Sequence, residues 1–392
     1  MFDNTEKRVE MANLPAPRVR RQLAALVMIV LAPLLMQQSP NEPIEQLGYK
    51  ELNPRWEHAG VITGSPTGDL VGAVPCPGED TTDNCLVSVD SAGTAVEFRF
   101  ADGAWHQERT FSIGHPVTAV CAGAPQHDRR WRVYVGSSNG QVTELTRNDL
   151  GWTTKPVITL DQPIAAIYAS HPGAMSVSQM FVIDGGGHAT NLWIGNNQDW
   201  VRRPIPDIKG GITDLITSPD RSGLRILVAG PSGELHKFVQ DTMGYWSGGL
   251  WTTMPDGVLD MAASADPTMK DIAVYFSGRD GHFRYLFYDH KTDDVARVPV
   301  AAGVSHLIGK QDEFRYNEFM GLLNGEYCQF EFSFTDRQWN RIPMHRVGND
   351  VVSATFGKAR PGRRNQFYVT TARGEIHEFV RQKMMDEAAD GE

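Results

Sequence analysis

The chain has 392 residues, 41% hydrophobic and 21% charged, a balance typical of globular proteins and too apolar for wholesale disorder. A formal net charge of -10 argues against a nucleic-acid backbone as partner, because phosphate binding needs a basic face. The local Arg360, Arg363 and Arg364 group reads as a solvated loop.

Residues 1–37 come first. A polar start ends in Arg18, Arg20 and Arg21, and the charge-free run Leu23 to Met36 follows. Fourteen apolar residues fall short of the ~20 that cross a bilayer and suit a signal-peptide core. Met11 offers an alternative start with a conventional basic n-region. No small-x-small cleavage pattern follows, so removal and retention as an N-terminal anchor both stay open. Export is expected either way (secreted, periplasmic or cell-surface), with membrane contact only through this segment. Residues 38–53 read as a polar, Pro-containing linker.

Residues 54–380 repeat. A turn glycine recurs at Gly93, Gly140, Gly187, Gly233, Gly281, Gly325 and Gly374. Two residues beyond each is Ala95, Val142, Ala189, Leu235, Phe283, Tyr327 or Ile376. Five beyond is Phe98, Leu145, Leu192, Phe238, Leu286, Phe330 or Phe379. These offsets fall on opposite faces of a strand, so the strand is apolar on both sides and lies between packed layers. A β-branched, aromatic strand precedes six of the glycines, as in Val133-Tyr-Val135 and Phe367-Tyr-Val369. Tryptophan follows five of them, at Trp105, Trp152, Trp200, Trp246 and Trp339. Each unit thus holds four strands, and a period of about 40–50 residues with four strands defines a β-propeller. The fold expected is all-β, a seven-bladed propeller of four-stranded antiparallel blades. After Phe379 no tryptophan remains, and residues 381–392 are an acidic tail. The missing outer strand is Arg55 to Val61, so the N-terminal strand is predicted to complete the last blade and close the ring.

Cys76 and Cys85 flank one loop between neighbouring antiparallel strands, and a Cys76–Cys85 disulfide is expected in an exported protein. Cys121 and Cys328 read as buried thiols. No Cys/His spacing of a zinc site occurs, so neither metal nor cofactor is expected. The equivalent innermost positions read Ala73, Ala119, Ala166, Asp214, Asp260, His306 and Ser353. The last four form a polar arc. One reading makes it an acid-base-nucleophile set. A second lets two Asp and the His hold a cation, and the plainest makes the arc a wetted channel wall or hydrogen bonds that tie neighbouring strands. No Gly-x-Ser-x-Gly motif accompanies it.

In the second unit Arg132-Val-Tyr134, a turn ending in Gly140, Glu144-Leu145 and Trp152 resemble the repeat of fungal fucose-specific lectins. Gly233-Glu-Leu-His-Lys-Phe238 with Tyr245-Trp-Ser247 is similar to repeats of bacterial propeller lectins. That resemblance implies glycan or glycoprotein binding between blades, with Arg132 and Glu144 on hydroxyls and Trp152 stacked on the sugar. At the Glu position of the fourth unit stands Lys237, so the pocket is not repeated. The function expected is a non-catalytic, lectin-like binding module; a propeller hydrolase or lyase using the arc, and a protein-interaction scaffold, are the alternatives.

Overall fold

A computed structural model describes residues 50–52, 56–63, 69–75, 85–123, 132–148, 150–169, 179–195, 199–220, 223–254, 257–265, 272–279, 282–288, 295–309, 318–333, 338–357 and 364–381. The N-terminal hydrophobic segment, Cys76 and the acidic tail lie outside the described residues.

The described chain contains strands and no helix. β1 (Lys50–Glu51) and β2 (Trp56–Thr63) come first. The first sheet holds β3 (Leu70–Pro75), β4 (Cys85–Asp90), β5 (Thr94–Ala101) and β6 (Ala104–Ser112). The second holds β7 (Val117–Gly123), β8 (Arg132–Ser137), β9 (Gln141–Asn148) and β10 (Gly151–Thr159). The third holds β11 (Ile164–Ala169), β12 (Gln179–Asp184), β13 (Ala189–Ile194) and β14 (Trp200–Pro204). The fourth holds β15 (Asp214–Asp220), β16 (Gly223–Ala229), β17 (Glu234–Gln240) and β18 (Trp246–Thr253). The fifth holds β19 (Asp260–Ala265), β20 (Ile272–Ser277), β21 (His282–Tyr288) and β22 (Val295–Ala302). The sixth holds β23 (Val304–Gly309), β24 (Glu318–Leu323), β25 (Glu326–Ser333) and β26 (Gln338–Arg346). The last holds β27 (Val351–Gly357), β28 (Arg364–Thr371) and β29 (Glu375–Arg381).

Six sheets have four strands and the sixth has five, because β1 adds to its edge parallel to β26. Lys50 and Glu51, expected in a linker, thus join a sheet. β2 runs antiparallel beside β29, from Trp56 opposite Arg381 to Thr63 opposite Glu375. That is the pairing the count of outer strands predicts. Strands pair consecutively within every sheet, so each sheet is an antiparallel meander. Contacts between sheets run along the innermost strands, β27 with β3, β3 with β7 and β7 with β11, then β15 with β19, β19 with β23 and β23 with β27. Gly72 is required at one such approach: a Cβ there would sit 2.7 Å from Val120 and 3.0 Å from Ser353 Oγ.

The turn glycines have the conformation that the repeat implies. Gly93, Gly140, Gly187, Gly233, Gly325 and Gly374 have φ between 77 and 89°. The amide of Gly233 donates to Gly230 O at 3.1 Å, and its carbonyl accepts from Met254 N at 2.8 Å. The turn is therefore pinned both within its hairpin and to the exit of the outer strand. A Cβ on Gly233 would fall 1.9 Å from Met254 O. Gly233→Ala should lose about 3 kcal/mol of stability, combining left-handed strain with displacement of that carbonyl. Chemical denaturation measures it, and a loss below about 1 kcal/mol would contradict this reading of the turn.

The core lies between sheets. Val87, Val89 and Ala95 of the first sheet pack with Val133, Val135 and Leu145 of the second. On the other side Leu86, Val96 and Phe98 pack with Ile62, Tyr368 and Ile376 of the last. Residue parity along each strand therefore decides which neighbouring sheet a side chain meets.

Candidate functional site: polar residues between the sheets

In the first, third, sixth and last sheets the residue four positions beyond the turn glycine is polar (Glu97, Asn191, Gln329 and Glu378) and faces the following sheet. The outer-strand tryptophan faces the preceding one. These two positions meet. Trp152 Nε1 donates to Glu97 Oε2 at 2.9 Å, from the second sheet to the first. Trp105 Nε1 donates to Glu378 Oε2 at 2.9 Å, from the first to the last. Trp56 Nε1 donates to Gln329 Oε1 at 2.8 Å, from the last to the sixth. Where the acceptor is otherwise engaged the bond is missing. Asn191 Nδ2 donates to Met180 O and its Oδ1 accepts from Gln240 Nε2, and the buried Trp246 Nε1 has no hydrogen-bond partner among the described residues. Trp246 still packs edge-on against Phe181, with ring centroids 5.7 Å apart.

Glu97 is the most heavily used of these groups. It is fully buried. Its Oε1 accepts from Cys85 Sγ at 3.7 Å and lies 2.8 Å from Arg147 Nε of the second sheet. Cys85 is thus a buried thiol turned into this cluster, and the expected Cys76–Cys85 disulfide finds no support. Cys85 lies in the contact between sheets, and Cys76 is outside the described residues.

The expected pocket of Arg132, Glu144 and Trp152 does not converge. Arg132 Nε and Glu144 Oε1 pair at 3.4 Å, both side chains being about nine-tenths buried. Tyr134 OH donates to Glu144 Oε2 at 3.2 Å. Burial first, then the Glu144 charge, pushes the Tyr134 phenol far up, so it stays a donor. Trp152 stands opposite Arg147 in the β9–β10 register, one parity step from Glu144, and therefore on the other face. There it stacks on Phe111 at 5.4 Å. The tryptophan that approaches the Arg132–Glu144 face is Trp200 of the third sheet, edge-on to Tyr134 at 5.7 Å.

The polar arc on the innermost strands is also stitched between sheets. Tyr168 OH donates to Asp214 Oδ1 at 2.8 Å, linking β11 to β15. Asp214 Oδ2 accepts from Met261 N of β19 at 2.7 Å, and Asp260 Oδ2 accepts from Leu307 N of β23 at 2.5 Å. His306 adopts φ 48° at a register irregularity of β23, which aims the next amide at Asp260. Its carbonyl accepts from Tyr327 OH at 2.6 Å. Ser353 Oγ is buried with no hydrogen-bond partner among the described residues, so it does not pair with His306. Burial lowers the His306 imidazole.

Burial raises Asp214 to about 6, and burial together with the Asp214 charge raises Asp260 to about 8. The two titrate as a pair. Both therefore keep protons in the folded protein that the unfolded chain releases near pH 4. The stability this confers is complete below pH about 4 and is lost as pH rises to about 8. The slope is at most about 1.4 kcal/mol per pH unit for each retained proton. Asp260→Asn keeps an oxygen for Leu307 N and removes the titration. Its unfolding free energy should vary less between pH 5 and 8 than that of the parent, and an unchanged slope would contradict the assignment.

No protein-family profile matches the chain, and no curated protein matches it. Solved structures match in fold. Saccharomyces cerevisiae Sqt1 shares 13% identity over 83% of this chain and 87% of that one, with a TM-score of 0.56. BBS1N, crystallised in complex with ARL6DN, shares 12% over 85% and 99%, with a TM-score of 0.63. U3-55K shares 8% over 83% and 99%, with a TM-score of 0.57. These likenesses establish the class: an all-β propeller with four-stranded antiparallel blades. They lend no support to membership of the lectin superfamily.

Proposed function

We propose that this chain is a non-catalytic, seven-bladed propeller whose ring is closed by β2 and which serves as a protein-interaction scaffold. Pairing of β2 with β29 and the β27–β3 contact support the closure. The observation that carries the scaffold reading is where the exposed aromatic and apolar groups lie. Met243 and Tyr245 stand exposed on the β17–β18 hairpin. The Arg203 guanidinium is held 5.0 Å from the Tyr245 ring and 5.7 Å from the Trp193 ring. Tyrosine, tryptophan and arginine dominate binding energy at protein interfaces, and here one preorganised stack presents all three. By contrast, Glu97, Glu378, Gln329, Asp214 and Asp260 are already committed to neighbouring sheets. BBS1N, similar in fold, was crystallised with a protein partner, which favours the same reading.

The test is comparative capture with the purified chain and an Arg203→Ala/Tyr245→Ala variant. A defined partner held by the parent should be lost by the variant and kept by Leu150→Ser, a change at an exposed leucine on another sheet. Equal capture by all three would reject the patch. Saturable binding of the parent to a glycan array would favour the lectin reading instead.

A further inference from the structure

We propose that His58, His345 and His377 form a binding site for one divalent late first-row transition-metal ion, zinc in the first instance. The three residues come from β2, β26 and β29, and the pairing of β2 onto β29 beside the sixth sheet brings them together. Each offers one ring nitrogen, and these nitrogens all lie within 4.8 Å of one another. His58 Nε2 and His377 Nδ1 are 3.2 Å apart. Zn–N bonds of about 2.0–2.1 Å in a tetrahedron place ligand nitrogens about 3.3 Å apart, so this pair already has the edge length that zinc requires. His345 is exposed and lies flat on His58, with ring centroids 3.9 Å apart and planes within 5°. A rotation of that exposed side chain would be needed to turn its nitrogen toward the same point.

The surroundings fit a ligand set. His377 is 94% buried, from its 6% exposure. Its Nε2 lies 3.5 Å from Glu375 Oε2. A carboxylate behind the second ring nitrogen is the usual support of a metal-bound histidine, fixing Nδ1 as the ligand atom. Glu375 is also approached by Arg373 Nη2 at 3.7 Å, which Asp350 holds in turn at 2.8 Å. An all-imidazole set suits zinc, copper, nickel and cobalt and disfavours magnesium and calcium, which take oxygen ligands. Three protein ligands leave a fourth position for water or for a group from another molecule. No local Cys/His spacing announces the site, because its ligands come from both ends of the chain. The inference is independent of the partner patch, which lies on the third and fourth sheets.

The experiment is calorimetric titration of the untagged full chain with Zn2+, after chelator treatment. One saturable equivalent is expected. His345→Ala, an exposed change, should weaken it at least tenfold while leaving the metal-free unfolding temperature unchanged. His58→Gln should weaken it likewise, and His106→Ala on the first sheet should not. Zinc should raise the unfolding temperature of the parent and not of His345→Ala. Absence of one-equivalent saturable binding, or binding that survives His345→Ala unchanged, overturns the proposal.

Discussion

Replacing Glu97 with alanine should destabilise the protein by about 3–5 kcal/mol, the range for removing one partner of a buried ion pair. The carboxylate holds Arg147 at 2.8 Å and Trp152 Nε1 at 2.9 Å, and it accepts the Cys85 thiol. Alanine leaves all three donors facing apolar neighbours such as Val87 and Val133. Arg147 side-chain exposure is 24%, so water reaches it only in part and does not replace the lost charge. Glu97→Gln keeps an acceptor for Trp152 and loses only the charge, so its cost should fall between that of alanine and zero. Urea unfolding of the two variants measures both steps. An alanine variant within about 1 kcal/mol of the parent would contradict the assigned role.

The second large effect is expected at the other end of the chain. Trp56 is 3% exposed and packs against Phe367 at a ring distance of 6.3 Å, in a cluster with Met320, Leu322, Val369 and Phe379. Truncating a large buried aromatic to alanine costs about 3–5 kcal/mol. Here the loss falls on the strand that covers β29. Trp56→Ala should therefore also loosen β2, and limited proteolysis should cut within residues 56–63 before any other strand. Cleavage starting elsewhere, at the parent rate, would show that Trp56 does not anchor this strand.

The fold was largely legible because its signals are local. A left-handed turn position admits little but glycine, and the six described repeat glycines all occupy it. The tryptophans of five units were equally visible, and so was the need for Trp56 to complete the last sheet. The partners of these tryptophans were not. Reading Arg132, Glu144 and Trp152 as one pocket assumes that a unit's own residues meet. Trp152 instead lies in register with Arg147, and both turn to the preceding sheet, toward Glu97. Strand parity carries that information, but only after the β9–β10 register is known. Asp214 and Asp260 were recognisable as unusual residues for an inner strand. Their oxygens take Met261 N and Leu307 N, each 47 residues on and so about one repeat away, but only the packing of adjacent inner strands shows that a side chain rather than water meets those amides. The histidine cluster was hidden for the same reason. His58 meets His377 only because the first long strand pairs with the last.

The central claim is that β2 completes the last sheet and is latched to the sixth through Trp56 and Gln329. A double-mutant cycle with Trp56→Phe and Gln329→Leu isolates that latch, since phenylalanine retains an aromatic ring and drops the N–H. Gln329 also donates to Glu318 Oε2 at 3.0 Å, a contribution common to both arms that the cycle cancels. Unfolding free energies of the four proteins should give a coupling of about 1 kcal/mol or more, in the range of a buried hydrogen bond. Effects that add to within about 0.3 kcal/mol would mean that the two residues do not meet, and the closure would be wrong.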